Sequence, residues 1–257
     1  MAGNRIGLIE GLLFRAALRR WRSAARRATK MPIATLRRLR QQAGTLRVPL
    51  DTFIARADHR LVLPRIGADG FPQPPGTDWA WRPEMWRTPL AEKGRTAVDS
   101  RTSLGGQVTL FHDCKISELT MRQLRNTRES DLAPFGLRLD VFRFDGSFLS
   151  LVLDLPTEAC EGLKRRHIVR VDMIVETEKP LEIFARLNVR HGPNTEQIVR
   201  EVPLYSSEVM VEFDMAYTAL NEKRVEAAWL DLIFENPEMN QVTIRDITFC
   251  RHPRAAL

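Results

Sequence analysis

The chain has 257 residues, 44 % of them hydrophobic, and a net charge of +7. That is enough apolar material for one large β domain, or a smaller one with an extension, and no apolar run approaches the roughly 20 residues that a membrane-spanning helix needs. The three cysteines, Cys114, Cys160 and Cys250, are odd in number, widely spaced and without a C-x-x-C pair. They argue against a disulfide framework or a zinc site and for a reducing, cytoplasmic compartment.

The charge is unevenly spread. Residues 1–60 hold 14 of the 39 Lys/Arg but only three of the 32 acids, so this segment carries +11 and the rest of the chain −4. Within residues 5–30, Ile6, Ile9, Leu13, Ala17 and Trp21 follow helical spacing, and Arg15, Arg19, Arg22 and Arg26 form a second stripe. Met31-Pro32 interrupts this pattern, and a second short helix is expected from Ile33 to Gln42, with Gly44 as its stop. Glu10 breaks the apolar stretch, and no small-residue cleavage site follows it, so the segment does not read as a secretory signal. Four readings remain for it. It could be a basic amphipathic helix on an anionic membrane, with the four arginines as contacts, or a helix pair packed on the body or a partner. It also shares the arginine-rich look of a transit peptide. Nucleic-acid binding is the least favoured, because no recognised module accompanies the arginines.

A short strand is expected at Arg60–Leu63. Residues 64–78 are rich in proline and glycine and read as an extended crossing segment, leading into Trp79, Trp81 and Trp86. Those three tryptophans have two readings: a loop stapled to the body by aromatic burial, or an aromatic platform for a sugar or peptide.

From Gln107 onward the text is strand-like. QVTLFHDC is one strand, and KISELTMRQLRN does not settle between strand and helix. Gly136–Phe144 and Ser147–Leu155 are expected to form a hairpin around Asp145-Gly146. Three further segments alternate at period 2, through Val169, Val171, Met173 and Val175, then Ile183, Ala185, Leu187 and Val189, then Val209, Val211, Phe213 and Met215. Near the C-terminus Ala228, Leu230, Leu232 and Phe234 share one face, and turn residues Asn236–Asn240 follow. Val242 and Ile244 then give way, out of phase, to Ile247 and Phe249. That slip at Arg245-Asp246 predicts a β-bulge. The fold class is therefore mainly β: an antiparallel two-sheet β-sandwich of jelly-roll type with a basic α-helical N-terminal extension. Its expected parts are a basic amphipathic helical segment (1–45), an extended Pro/Trp-rich connector (46–98) and the sandwich (99–257).

Chemistry-bearing motifs are scarce. His112-Asp113-Cys114, with His191 as a remote helper, suggests a nucleophile or metal site. Adjacent strand residues face opposite ways, however, and a structural role is favoured. No phosphate-binding loop, H-E-x-x-H or G-x-S-x-G is present, so no catalytic residue, metal or cofactor is assigned. The more specific signal lies on the outward faces of the strands. If the apolar set points inward, then Arg170 and Asp172, Arg186, Asn188 and Arg190, and Trp229 and Asp231 point out. An aromatic ring among Arg, Asp and Asn suits a carbohydrate or anionic ligand, and the competing reading is a solvated sheet face.

The stretches AWLDLIFENPEMNQVTIRDITFCRHPRA, DWAWRPEMWRTPL and FDGSFLSLVLDLP resemble an uncharacterised family of alphaproteobacterial proteins of unknown function. That resemblance implies a bacterial protein and supplies no catalytic residues. The strand arrangement also resembles the jelly-roll, galactose-binding-like body of carbohydrate-binding modules, in architecture only. The leading expectation is a cytoplasmic, non-enzymatic binding module, for a glycan or glycoconjugate, held near the inner membrane surface. A structural or protein-interaction protein using the outer sheet or the Trp-rich loop stands second, and a hydrolase third.

Overall fold

The computed structural model describes residues 3–66, 70–128 and 131–254. The chain forms two compact units, Met1–Arg56 and Ala57–Leu257. In the first, Ala-, Leu- and Arg-rich sequence of high helix propensity gives α1 (Gly3–Arg27). A turn of 3₁₀-helix, Ala28–Lys30, follows. Pro32 then opens α2 (Ile33–Ile66), its carbonyl accepting the Leu36 N–H at 2.9 Å. A proline is harmless there, because its missing N–H is one of the four that a helix start leaves unpaired anyway. Arg20 Nη2 donates to Gln42 Oε1 (3.1 Å), which brings the two helices side by side.

The second helix corrects two expectations. Gly44 does not end it, and Arg60–Leu63 is helical rather than a strand. A glycine stops a helix by taking a left-handed conformation, and Gly44 is not among the glycines of positive φ.

The second unit is an antiparallel two-sheet sandwich of jelly-roll type. Its strands and short helices in chain order are β1 (Trp79–Trp81), α3 (Glu84–Arg87), β2 (Gly94–Thr96), β3 (Thr102–Leu104), β4 (Val108–His112), β5 (Glu118–Arg125), β6 (Phe135–Arg143), β7 (Leu149–Asp154), α4 (Thr157–Cys160), β8 (His167–Thr177), β9 (Glu182–His191), β10 (Asn194–Glu201), β11 (Glu208–Asp214), β12 (Val225–Glu235) and β13 (Asn240–Pro253). Sheet A runs β11-β8-β13-β6-β5-β2, with β1 also paired to β13; sheet B runs β10-β9-β12-β7-β4-β3.

The inward faces are those that the alternation predicts. Leu149, Leu151, Leu153, Val169, Val171, Ile183, Leu187, Val211, Phe213, Leu230, Leu232 and Phe234 are all buried in one core. The bulge is also where the phase slip places it, since the β13–β8 register shifts between Ile244 and Asp246. Two of its carbonyls and its redirected carboxylate are occupied. Trp86 Nε1 donates to the Ile244 carbonyl (2.9 Å), and Asn126 Nδ2 to the Arg245 carbonyl (2.8 Å). Arg82 clasps Asp246 through Nε (2.9 Å) and Nη2 (2.8 Å).

These contacts change the picture of the segment expected as a connector. Residues 46–66 are helical, and β1, α3 and β2 belong to the sandwich. Gln123 fixes the segment further, its amide donating to the carbonyls of Met85 (2.6 Å) and Thr88 (2.7 Å) and accepting from Leu90 N–H (2.8 Å).

The hairpin expected at Asp145-Gly146 does not form, because β6 lies in sheet A and β7 in sheet B. Asp113 captures the corner instead. It accepts from Ser147 N–H (2.7 Å), Ser147 Oγ–H (2.6 Å) and Phe148 N–H (3.2 Å). Gly146 passes so close that a Cβ would stand 2.5 Å from Asp113 Oδ1. The β12–β13 connection likewise crosses between sheets, through Asn236 and Met239 at positive φ.

Leu232 lies at the centre of sheet B, paired with Leu151 on one side and Ala185 on the other. Replacing it with alanine is expected to cost about 2–5 kcal/mol. Urea unfolding would show this as a lower midpoint at unchanged slope. A loss below 1 kcal/mol would contradict its place in the packed core.

Candidate functional site

The outer face of sheet B is laid out by strand register. One row across β10, β9, β12, β7 and β4 reads Val199, Arg186, Asp231, Val152 and Thr109. The row on one side carries Gln197, Asn188, Trp229 and Asp154. The row on the other carries Glu201, Phe184, Ile233, Ser150 and Phe111. Aromatic and aliphatic groups thus surround a polar centre. A groove of about 440 Å³ opens here, lined by Phe111, Phe148, Ser150, Val152, Arg186, Trp229, Asp231 and Ile233.

The polar centre is a network. Asp231 is only 3 % exposed. Its Oδ2 accepts from Arg186 Nε (2.8 Å) and Nη2 (2.6 Å) and from Asn188 Nδ2 (3.1 Å). Gln197 Nε2 in turn donates to Asn188 Oδ1 (3.0 Å). The other carboxylate oxygen, Asp231 Oδ1, is buried without a hydrogen-bond partner, and so is Ser150 Oγ. Burying an unsatisfied polar atom costs free energy, so both atoms stand out from the satisfied network beside them. The neighbouring Asp154 has its pKa raised by burial and then by the charge of Asp231.

The sequence-derived candidates divide between the two sheets. Trp229, Asp231, Arg186 and Asn188 stand together. Arg190 shares their face but lies outside the groove lining, opposite Ala227 and 3.4 Å from Glu226. Arg170 and Asp172 are on the outer face of sheet A and do not join them. Outward parity is the same in β8 and β9, but these strands enter opposite sheets, so their outward faces diverge. Arg170 and Asp172 also satisfy each other at 2.6–3.1 Å, beside a second hollow of about 440 Å³ that Phe71, Pro72, Met210 and Thr248 help to line.

The Trp-rich stretch packs against the core of the sandwich. Trp86 is fully buried, which removes it as a ligand contact. Trp79 and Trp81 are half-buried on β1, their rings 6.4 Å apart, with Trp81 also 5.4 Å from Phe249. The His112-Asp113-Cys114 stretch is structural. His112 is buried, with Nε2 2.7 Å from the Val98 carbonyl and Nδ1 accepting the Cys114 N–H at 3.1 Å. Burial pushes the Cys114 thiol up, the opposite of activation. His191 is engaged by Glu196 (3.4 Å) and by the Asn221 N–H (3.3 Å). Among the described residues, no group of three or more His, Cys, Asp or Glu is arranged to hold a metal ion.

The sequence did not single out Phe111, Phe148, Ser150, Val152 or Ile233. Ser150 carried a signal, as the one polar residue between Leu149 and Leu151 in a strand whose other face is core. Phe148 carried none, because the Asp113 corner places it.

The helical unit offers a second surface. Arg15, Arg19, Arg22 and Arg26 are all exposed on α1, and beside them Phe14 is 67 % exposed and Leu18 also faces solvent. On α2, Arg37, Arg40 and Arg47 line an open hollow of about 650 Å³ around Gly44. The side chains of Ile6, Ile9 and Leu13, expected as the apolar stripe, lie outside the described residues. Among the described residues no helix is long and apolar enough to cross a membrane.

The chain belongs to a family of unknown function, DUF6478, whose model matches residues 1–257. No curated protein sequence matches it. Solved structures similar to it include the enzymatically active domain of tailspike protein 4 from bacteriophage CBA120, at 7 % identity and a TM-score of 0.40, covering 60 % of this chain but only 21 % of that one. Another is a family 11 carbohydrate-binding module from Clostridium thermocellum in complex with a β-1,3-1,4-mixed-linked tetrasaccharide, at 10 % identity and a TM-score of 0.36, covering 64 % of this chain and all of that one. The family 11 carbohydrate-binding module of the cellulosomal cellulase Lic26A-Cel5E of Clostridium thermocellum shows 14 % identity and a TM-score of 0.36, with 62 % and 95 % covered.

Asp113, whose corner holds Phe148, links pH to the stability of the fold. The Ser147 hydroxyl holds its carboxyl below the usual aspartate value of 3.8, helped by the N–H groups of Ser147 and Phe148. A carboxylate depressed in the folded state stabilises the protein above its unfolded pKa, and that stabilisation is lost as pH falls through the folded value. Asp113→Ala should therefore lower the melting temperature at pH 7, with the difference from wild type shrinking as pH drops below the ordinary carboxylate range. Melting curves at stepped pH check this, and a constant difference down to the most acid point would rule it out.

Proposed function

We propose that this family member is a non-catalytic binding module whose outer face of sheet B takes a glycan or glycoconjugate. The carrying observation is the groove in which half-buried Trp229 stands beside the Arg186–Asp231–Asn188 network. An indole face stacks on the C–H surface of a sugar ring, and fixed polar groups beside it read hydroxyls. The surrounding Phe111, Phe148, Val152 and Ile233 keep water away from those hydrogen bonds and so strengthen them. Free thiols at Cys114, Cys160 and Cys250 favour a cytoplasmic location.

The reading includes attachment of the helical unit to an anionic membrane surface, peripheral to the inner membrane. Exposed Phe14 and Leu18 next to the Arg15, Arg19, Arg22 and Arg26 stripe support it. Apolar side chains enter the headgroup region, and each arginine near the surface contributes about 1 kcal/mol, screened by salt.

Glycan-array binding followed by titration tests the groove. Trp229→Ala should weaken binding on the order of 30-fold, the loss of an interface residue that contributes about 2 kcal/mol, with the folded state retained. Binding that survives this substitution unchanged would move the site elsewhere. Liposome flotation tests the helices. The full chain should float with anionic vesicles, less so as ionic strength rises, and fail to float when all four arginines become glutamate. Equal flotation with neutral and anionic vesicles, or none with either, would remove the membrane attachment.

A further inference from the structure

Two residues lining the groove on sheet B each carry an unpartnered buried polar atom, and the chemistry of those atoms narrows what can occupy the groove. Asp231 Oδ1 is a carboxylate oxygen and can only accept a hydrogen bond. It is buried and without a partner on a residue that lines the groove, whereas its twin Oδ2 is fully engaged by Arg186 and Asn188. Ser150 Oγ is the second unpartnered atom, on a residue 7 % exposed that lines the same groove. Ser150 pairs with Ile233, two residues along β12 from Asp231, so the two side chains are diagonal neighbours on adjacent strands. Such neighbours stand roughly 7–8 Å apart at most, a spacing that one sugar ring bridges.

The charges at the floor point the same way. Among the described residues, Arg186 is the only cation lining the groove, and Asp231 neutralises it at 2.6 Å. Asp154, in the next row, adds a second carboxylate close enough to feel Asp231. An incoming phosphate, sulfate or uronate would bring further acceptors to an acceptor that lacks a donor. It would also place negative charge beside the carboxylate of Asp231, with that of Asp154 in the next row. A neutral sugar brings hydroxyl donors.

We infer that the groove selects neutral, hydroxyl-rich saccharides over anionic ones, one hydroxyl donating to Asp231 Oδ1 and another bonding Ser150 Oγ. This rests on the glycan reading of the same face. It adds that a charged group of any glycoconjugate stays outside the groove. Ser150 is then a residue kept for its ligand: in the free protein its buried hydroxyl is unpaired, so removing it relieves a cost rather than breaking a contact.

The test uses the full chain as wild type, Ser150→Ala and Trp229→Ala, with mixed-linkage β-glucan, xylan and galactan as neutral probes and polygalacturonate and heparin as anionic ones. The readout is the part of the affinity that Trp229→Ala abolishes, which separates the groove from the arginines of the helices. Neutral probes should show this component, reduced about tenfold by Ser150→Ala, while the melting temperature of that variant stays the same or rises. Anionic probes should show none. A Trp229-dependent component for the anionic probes would overturn the selectivity and leave the glycan reading standing. Wild-type affinity for neutral probes in Ser150→Ala would do the same. Absence of the component for every probe would remove both.

Discussion

The bulge at Arg245 in β13 is the constraint on which the sandwich depends. An extra residue in a central strand leaves carbonyls without ladder partners and turns the following side chain to the other face. Each consequence is met by a specific group. Trp86 takes the Ile244 carbonyl, Asn126 takes that of Arg245, and Arg82 takes the redirected Asp246. Gly136 permits the close approach of β6, where a Cβ would stand 3.0 Å from the Ile244 carbonyl. The Arg82–Asp246 pair is almost wholly buried, and losing one partner of such a pair typically costs about 3–5 kcal/mol. A buried pair adds little net stability over apolar packing, but it makes any other register expensive. One register of β13 therefore fixes β8, β6 and β1 together.

Sheet B is organised differently. Its outer face keeps an ionic and amide network under aromatic cover, with one arm of the network left open at Asp231 Oδ1. In sheet A the buried carboxylate of Asp246 is clasped through both oxygens. The contrast between these two aspartates separates a closed ion pair from a half-satisfied one. A closed pair holds the fold, and the half-satisfied one keeps a buried acceptor without a donor.

The charge asymmetry has its own logic. The N-terminal segment concentrates arginine on helices that leave Phe14, Leu18, Leu36 and Leu46 exposed. The sandwich spends its arginines in pairs, as with Arg128 and Arg245 on Glu176, Arg251 on Asp78 and Arg170 on Asp172. Arginines locked in pairs contribute little field at a distance, so the two units present different electrostatic faces to a partner.

Local sequence determined which way each strand faces, because side-chain direction alternates at every residue and burial selects one parity. Leu230 and Leu232 inward, Trp229 outward and the bulge at Arg245 all follow from that rule. It also placed Trp229, Asp231, Arg186 and Asn188 on one side of their strands. Sheet membership is not a local property. β8 and β9 show the same alternation, yet they pair with different neighbours, so Arg170 and Arg186 face away from each other. Asp145-Gly146 has the composition of a tight hairpin, but the hydrogen bonds that decide the corner come from Asp113, more than thirty residues earlier. Gly44 reads as a stop, yet stops nothing while its φ stays right-handed. Ser150 acquires its meaning only from Phe111 on one neighbouring strand and Ile233 on the other. Those relations are set by which strands the folded chain brings side by side, and no window of the sequence contains them.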